Sequence, residues 1–366
     1  MNDKRVKAII NLNSIRQNYR YIKSLAPDTQ VIAVVKADAY GHGAVRVSHA
    51  LEEEGCGIFA VASAGEGVIL RDSGIKGDIL IMGITPVSQL KILSEYGFIQ
   101  TVNSVEYAKA LSDSDVNIRV HIKVDTGMSR LGLYCHGKDD AGDAAEKVRQ
   151  IHSLKGIKCE GIFTHFACSD DVSSQMTNNQ YNAFIGLCEK CESLGLNLGL
   201  KHCCNSGGII NFPQMKLDAV RAGIILYGYM PDGSRNTSLN PAMRLVSRVL
   251  QVGKLKKGDT VSYGAYYTAE RDMDIAVVSI GYADGFSRLL SGKVEVAIRG
   301  KRVKAVGRIC MDMCMADITG AECYPGDEVE IFGGIIPADE DAAKMGTISY
   351  ELLCGITGRV DREYTE

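Results

Sequence analysis

The sequence predicts a (β/α)8 barrel of the TIM type followed by a mostly β C-terminal domain, and three observations carry that expectation. Along the first two thirds of the 366-residue chain, short apolar runs rich in β-branched residues alternate with amphipathic stretches, the rhythm of parallel strands joined by crossover helices. About eight such units favour a closed barrel over an open sheet. After Tyr229 the rhythm changes, because the turn-rich linker MPDGSRNTSLNPAM leads into short alternating strands separated by Gly, Asp and Lys turns. We expect a barrel over residues 1–235 and a β domain over 236–366.

In chain order the strand-like runs are AIINL, VIAVVK, FAVAS, ILIMG, IQTVN, VHIKVD, CEGIFTHFA, KHCCNS and RAGIILYGY. Helical stretches stand between them, at 14–25, 89–96 and 179–194 among others. Beyond the linker come RLVSRVLQVGKL, DIAVVSIGY, KVEVAIRG, KRVKAVGRI and EVEIFGG, whose missing helices set them apart from the barrel.

Composition excludes several classes. With 46% hydrophobic and 23% charged residues the chain reads as a globular protein with a sizeable core. A formal charge of −3 without a block of like charges gives no footprint for nucleic acid. The opening MNDKRVKAIINLNSIRQNYR lacks the pattern of a secretory signal, and no apolar run approaches the roughly 18 residues needed to span a bilayer. A cytoplasmic enzyme with no membrane partner is the expectation. The twelve cysteines then read as reduced core thiols, and the lone CxxC of Cys188 and Cys191, on a helix with no second pair, reads as structural, with no metal site.

Chemistry gathers at strand ends. The stretch AVVKADAYGHGA places Lys36 at the end of a buried-strand signature, where a charged group must surface at the carboxyl end. Tyr40 follows it. Lys123, Asp125 and Arg130 lie in HIKVDTGMSRLG, His165 closes GIFTHF, His202, Asn205 and Ser206 lie in KHCCNSGG, and Arg221 and Gly223 in AVRAG. Any one of these reads as a satisfied core polar group. Five successive units, each polar at the same end of its strand, make the pattern of a barrel active site. NSGG and RAGI add a hydroxyl and closely spaced backbone N–H groups that suit a phosphate, and a lysine and an arginine beside them suggest pyridoxal 5′-phosphate held as a Schiff base.

The stretch VVKADAYGHGA closely resembles the cofactor-lysine motif of bacterial alanine racemases. The resemblance continues in order through KVDTGMSRLG, GIFTHFACSD, HCCNSGG, RAGIILYGY, VSYGAYYTAERD, SIGYADGFSR, GRICMDM and ISYELLC, over essentially the whole chain. It implies a pyridoxal-phosphate racemase of L- and D-alanine that supplies D-alanine for peptidoglycan, and a head-to-tail homodimer whose active sites combine both subunits. By the same resemblance Lys36 carries the cofactor, while Tyr40, Ser206, Gly223, Ile224 and Tyr350 bind its phosphate, with Asn205 beside them. Arg221 faces the pyridine nitrogen. Tyr263, in VSYG, is the second base, donated by the partner subunit and tuned through His165, with His202 next in the network. Arg130 meets cofactor and substrate, Lys123 is a lysine carbamylated in many members, and Met311 and Asp312 reach the substrate carboxylate. Asp170, Tyr282, Arg288, Arg308 and Ile348 match an entrance corridor.

Two departures from the family pattern are visible: AIINL lacks the usual acidic residue, and Asp38 stands where many members carry Asn. Neither removes a catalytic group. A serine racemase of the related resistance type is the competing reading, against which Tyr350 favours alanine. A non-catalytic cofactor-binding protein of the same barrel superfamily is a third, and VSYG and GRICMDM, in a second domain, argue against it.

Overall fold

A computed structural model describes residues 5–114 and 116–366. Eight strands, Gln30–Val34, Ile58–Val61, Asp78–Ile81, Ile99–Val102, Ile118–Asp125, Ile157–Phe163, Leu200–His202 and Ala219–Ala222, form one parallel sheet. Pairing of Ala219–Ala222 with Gln30–Val34, and of Ile99–Val102 with Ile118–Asp125, closes it into a barrel. Several strands are buried on both faces, as parallel strands covered by helices must be, which is why they read as continuous apolar runs. The expected helices appear at Leu12–Leu25 and Met176–Ser193. The stretch at 89–96 resolves into a 3₁₀ turn, Val87–Gln89, and the short helix Lys91–Glu95. Cys188 and Cys191 lie on the buried face of Met176–Ser193.

One expected barrel strand belongs elsewhere. AIINL, residues 8–12, overlaps the strand Lys7–Asn11, which pairs antiparallel with Met243–Val246 and parallel with Asp361–Thr365, so it joins the second sheet. Burial alternates along Lys7–Asn11, the pattern of a strand with one face covered, whereas barrel strands such as Ile58–Val61 and Ile99–Val102 are buried throughout. The chain thus starts in the second domain and enters the barrel through Leu12–Leu25.

That second domain is an eight-stranded sheet built on Met243–Leu255, a 13-residue strand that pairs on one edge with Met273–Val278 and on the other with Glu328–Phe332. A register shift between Val249 and Gln251 bends it. No helix among the described residues is long and apolar enough to cross a membrane.

Candidate active site at the barrel mouth

Lys36 follows the first barrel strand, at its carboxyl end. The next four residues, Ala37 to Tyr40, turn with left-handed backbone, φ between 52° and 54°. Such a conformation costs a non-glycine residue roughly 1–2 kcal/mol, so something must hold it. Glu66 does: its carboxylate accepts the Ala37 N–H at 2.9 Å and the Ala62 N–H at 2.7 Å. Asp38 accepts the Ala44 N–H at 2.7 Å, a bond that suits an acidic residue here. Gly41 completes the turn, since a Cβ there would lie 2.4 Å from the Leu353 carbonyl oxygen. The turn buries Tyr40 against Tyr227, with ring centroids 4.9 Å apart, and brings it 5.8 Å from Tyr350.

A cavity of about 470 Å³ opens at this end of the barrel. Lys36, Tyr40, Arg130, His165, Asp170, Asn205, Ser206, Arg221, Gly223, Ile224, Ile348 and Tyr350 all line it. Of the residues lining it Asp170 is the one acid, against Lys36, Arg130 and Arg221. A cavity with that charge balance favours an anionic ligand. One side is a polar cradle: Ser206 Oγ accepts the Gly223 N–H at 3.1 Å, and a Cβ on Gly223 would sit 3.0 Å from Tyr40 Oη. Asn205 is occupied differently, capping the following turn through Gly208 N–H at 3.0 Å and donating to the Phe166 carbonyl at 3.2 Å.

Arg221 is fully buried and nearly saturated. One terminal nitrogen donates to His202 Nδ1 at 2.8 Å, and the other to the carbonyls of Thr164 at 2.7 Å and Cys203 at 3.0 Å, with His165 Nδ1 at 3.3 Å. Its Nε is left buried and without a partner among the described residues. An unpaired buried donor on a cation is costly, so this atom marks where a ligand acceptor belongs. Burial pulls Arg221 down to about 10, and pulls Lys36 down as well, helped by Arg130. Burial, then Arg221, lowers Lys123 to about 7 and holds His165 well below the imidazole range, hence neutral. Lys123 lines a side chamber of about 180 Å³ with Lys36, Arg130 and His165.

The remaining expected residues are not at this cavity. Tyr263, Met311, Asp312, Tyr282, Arg288 and Arg308 all sit on the second domain, and none of them lines it. Tyr263 is 70% exposed and Met311 52%. Asp312 is paired with Arg359 at 2.8 Å, and Arg308 stacks over the Tyr266 ring at 5.0 Å.

Sequence reasoning missed Glu66 and Gln180. Fully buried Gln180 donates to the His165 carbonyl at 3.0 Å and accepts the Ala167 N–H at 2.8 Å, fixing His165 from both sides. Ser63 and Glu66 stand in the S-x-x-E spacing of a helix start, but nothing local announces that Glu66 also reaches Ala37, or that Gln180 reaches His165 and Ala167.

A parallel barrel with a lysine at one strand end, a hydroxyl-and-glycine cradle and a neutral histidine beside a buried arginine defines an enzyme of the barrel class, with its site at the carboxyl ends of the strands. Two family models match the chain, alanine racemase N-terminal domain over residues 10–231 and alanine racemase C-terminal domain over 242–364. The chain is 42% identical to alanine racemase of Desulfovibrio desulfuricans, over 100% of this chain and 99% of that one. It is also 42% identical to alanine racemase of Clostridium perfringens, over 98% and 95%. The solved alanine racemase of Clostridium difficile superposes with a TM-score of 0.91 at 38% identity, covering 99% of this chain and 96% of that one. The chain belongs to the alanine racemase family and is an isomerase of that class.

Proposed function

We propose that the protein interconverts L- and D-alanine, with pyridoxal 5′-phosphate at the barrel mouth and a second copy of the chain completing each site. The observation that carries the reading is the unpartnered Arg221 Nε in the wall of the cavity that Lys36 lines. When bound, the cofactor draws electrons from the substrate α-carbon and so acidifies its proton. Tyr40, Ser206, Tyr350 and the backbone of Gly223 and Ile224, next to Asn205, would hold the phosphate. Arg221 would donate Nε to the ring nitrogen, and a guanidinium, unlike a carboxylate, keeps that nitrogen unprotonated.

Racemisation needs a proton removed on one face of the α-carbon and returned on the other. Lys36, whose ammonium burial disfavours, holds the proton on one face. Tyr263 of the other chain serves the opposite face. Neutral His165, backed by Arg221, is the group we assign to stabilising its phenolate. Exposure of Tyr263 and Met311 supports a homodimer, since large side chains in solvent mark a surface awaiting cover. Arg130, Met311 and Asp312 would take the substrate carboxylate, and Asp170, Tyr282, Arg288, Arg308 and Ile348 would line the entrance. Lys123, lowered to about 7, reaches the neutral amine that adds CO2 to give a carbamate and a released proton, an anion suited to Arg130. All twelve thiols are free, in keeping with a cytoplasmic role supplying D-alanine for peptidoglycan.

The test is a chiral assay of purified protein reconstituted with pyridoxal phosphate, on L-alanine and L-serine separately. Racemisation of alanine well ahead of serine is expected. Serine turned over faster would move the assignment to a serine racemase, and no racemisation of either would sink it.

A further inference from the structure

Ile118–Asp125 sends Arg119, His121 and Lys123 to one face in two-residue steps. Lys123 reaches the side chamber at the site. Arg119 sits at the opposite mouth, paired with Asp78 at 2.6 Å and Glu160 at 2.7 Å. His121 is fully buried between them. Barrel interiors are ordinarily filled by branched apolar side chains, so a polar column from mouth to mouth needs a reason.

His121 Nδ1 lies 3.0 Å from His202 Nε2, and His202 Nδ1 lies 2.8 Å from Arg221 Nη1. The proton positions along this chain follow from one fact. Arg221 has donors only, so His202 Nδ1 must accept. Burial and Arg221 hold both rings neutral, His121 falling to about 4. A neutral imidazole has one donor and one acceptor, hence His202 carries its proton on Nε2 and gives it to His121 Nδ1. His121 in turn is protonated on Nε2. Space for the ring comes from Gly161, its register partner, where a Cβ would lie 2.6 Å from His121 Nε2.

We propose that His121 is a positioning residue for the racemase site: by accepting the His202 Nε2 proton it satisfies the one tautomer Arg221 allows and holds that ring against the guanidinium, and so keeps Arg221 Nε free for the cavity. Were that acceptor lost, the His202 Nε2 proton would be buried without a partner, and it could not move to Nδ1 without facing the Arg221 donor. The ring would turn toward another acceptor, and the guanidinium would turn with it. The role rests on the reading of the cavity as the pyridoxal phosphate site.

Histidine-selective ¹⁵N NMR of the full-length protein reads the tautomer directly and independently of cofactor. We expect wild-type His202 protonated on Nε2; protonation on Nδ1 overturns the proposal without any variant. His121→Leu should shift the His202 Nε2 resonance and lower kcat by roughly tenfold with KM little changed. His121→Asn, whose Oδ1 offers an acceptor near the same place, should restore both. Equal losses in the two variants, or an unchanged His121→Leu, would make the ring mere filling. Wild-type protein that develops no Schiff-base absorbance with pyridoxal phosphate overturns the cofactor reading and the role at its ring together, whereas normal absorbance with an indifferent His121→Leu overturns only the positioning role.

Discussion

The barrel mouth and the exposed face of the second domain carry functional residues under opposite conditions. At the mouth, Lys36, Lys123 and Arg221 are withdrawn from water, and burial shifts each of them toward its neutral form. Hydrogen bonds accepted by Glu66 and His202 and one donated by Gln180 hold the surrounding backbone and side chains in place. On the second domain, Tyr263 stands in a short 3₁₀ turn after Ser262 at φ 70°, with most of its surface in solvent. Preorganised groups act strongly because no reorganisation is left to do at the moment of reaction, while a solvated phenol has no such advantage. On the proposed reading, one chain holds a finished half-site and an unfinished one, and the second becomes effective only when another surface desolvates it.

The largest effect should come from the finished half. Lys36→Ala should abolish Schiff-base absorbance and lower racemisation by roughly 10⁴-fold or more; absorbance that persists would put the cofactor on another lysine. Tyr263→Phe should cost roughly 10²- to 10⁴-fold in kcat while the cofactor spectrum stays, because it removes one proton carrier only. Full activity in that variant would end the two-base assignment.

Mixing these two inactive variants sharpens the contrast between the halves. If each site combines Lys36 of one chain with Tyr263 of the other, a hybrid dimer has one intact site and one doubly defective site. Statistical exchange should then recover about one quarter of wild-type activity. Mixtures that stay dead after subunit exchange, checked by native mass spectrometry, would place both residues in a single chain's site.

Much of the barrel was legible because strands covered on both faces must be continuously apolar, and the end of such a run is the one place where Lys36 can surface. AIINL was misplaced because Ala8, Ile9 and Ile10 form a continuous apolar run like a barrel strand's, and only in the folded sheet does its burial alternate. Glu66 was invisible for a different reason. Its carboxylate stabilises N–H groups of Ala37 and Ala62, and nothing local announces a bond across 29 residues. Glu66→Gln keeps one acceptor and loses the charge, so we expect a stability loss of roughly 1–3 kcal/mol in urea unfolding and a smaller fall in kcat than either base variant. An unchanged midpoint would mean that the left-handed turn holds itself.

Smallest in effect, and confined to the second domain, is the behaviour of Asp341. Its carboxylate is fully buried, neither oxygen has a hydrogen-bond partner among the described residues, and Lys344 stands 3.8 Å away. Burial raises it from 3.8 to about 7, so between those values the folded chain holds a proton that the unfolded chain has released. Stability contributed by this group is therefore full below about pH 4 and declines as pH rises toward about 7, by at most roughly 1.4 kcal/mol per pH unit, then stays at its lower level. Asp341→Asn should flatten that slope, matching wild type near pH 4 and exceeding it near pH 8 in denaturant titrations. The barrel mouth arranges its buried charges around a ligand, so loss there should be read in turnover; Asp341 has no such ligand, and its replacement should raise stability while kcat holds. A fall in kcat with Asp341→Asn would show that the helix Ala338–Met345 reaches the site through its neighbour Ser349–Cys354, which carries Tyr350.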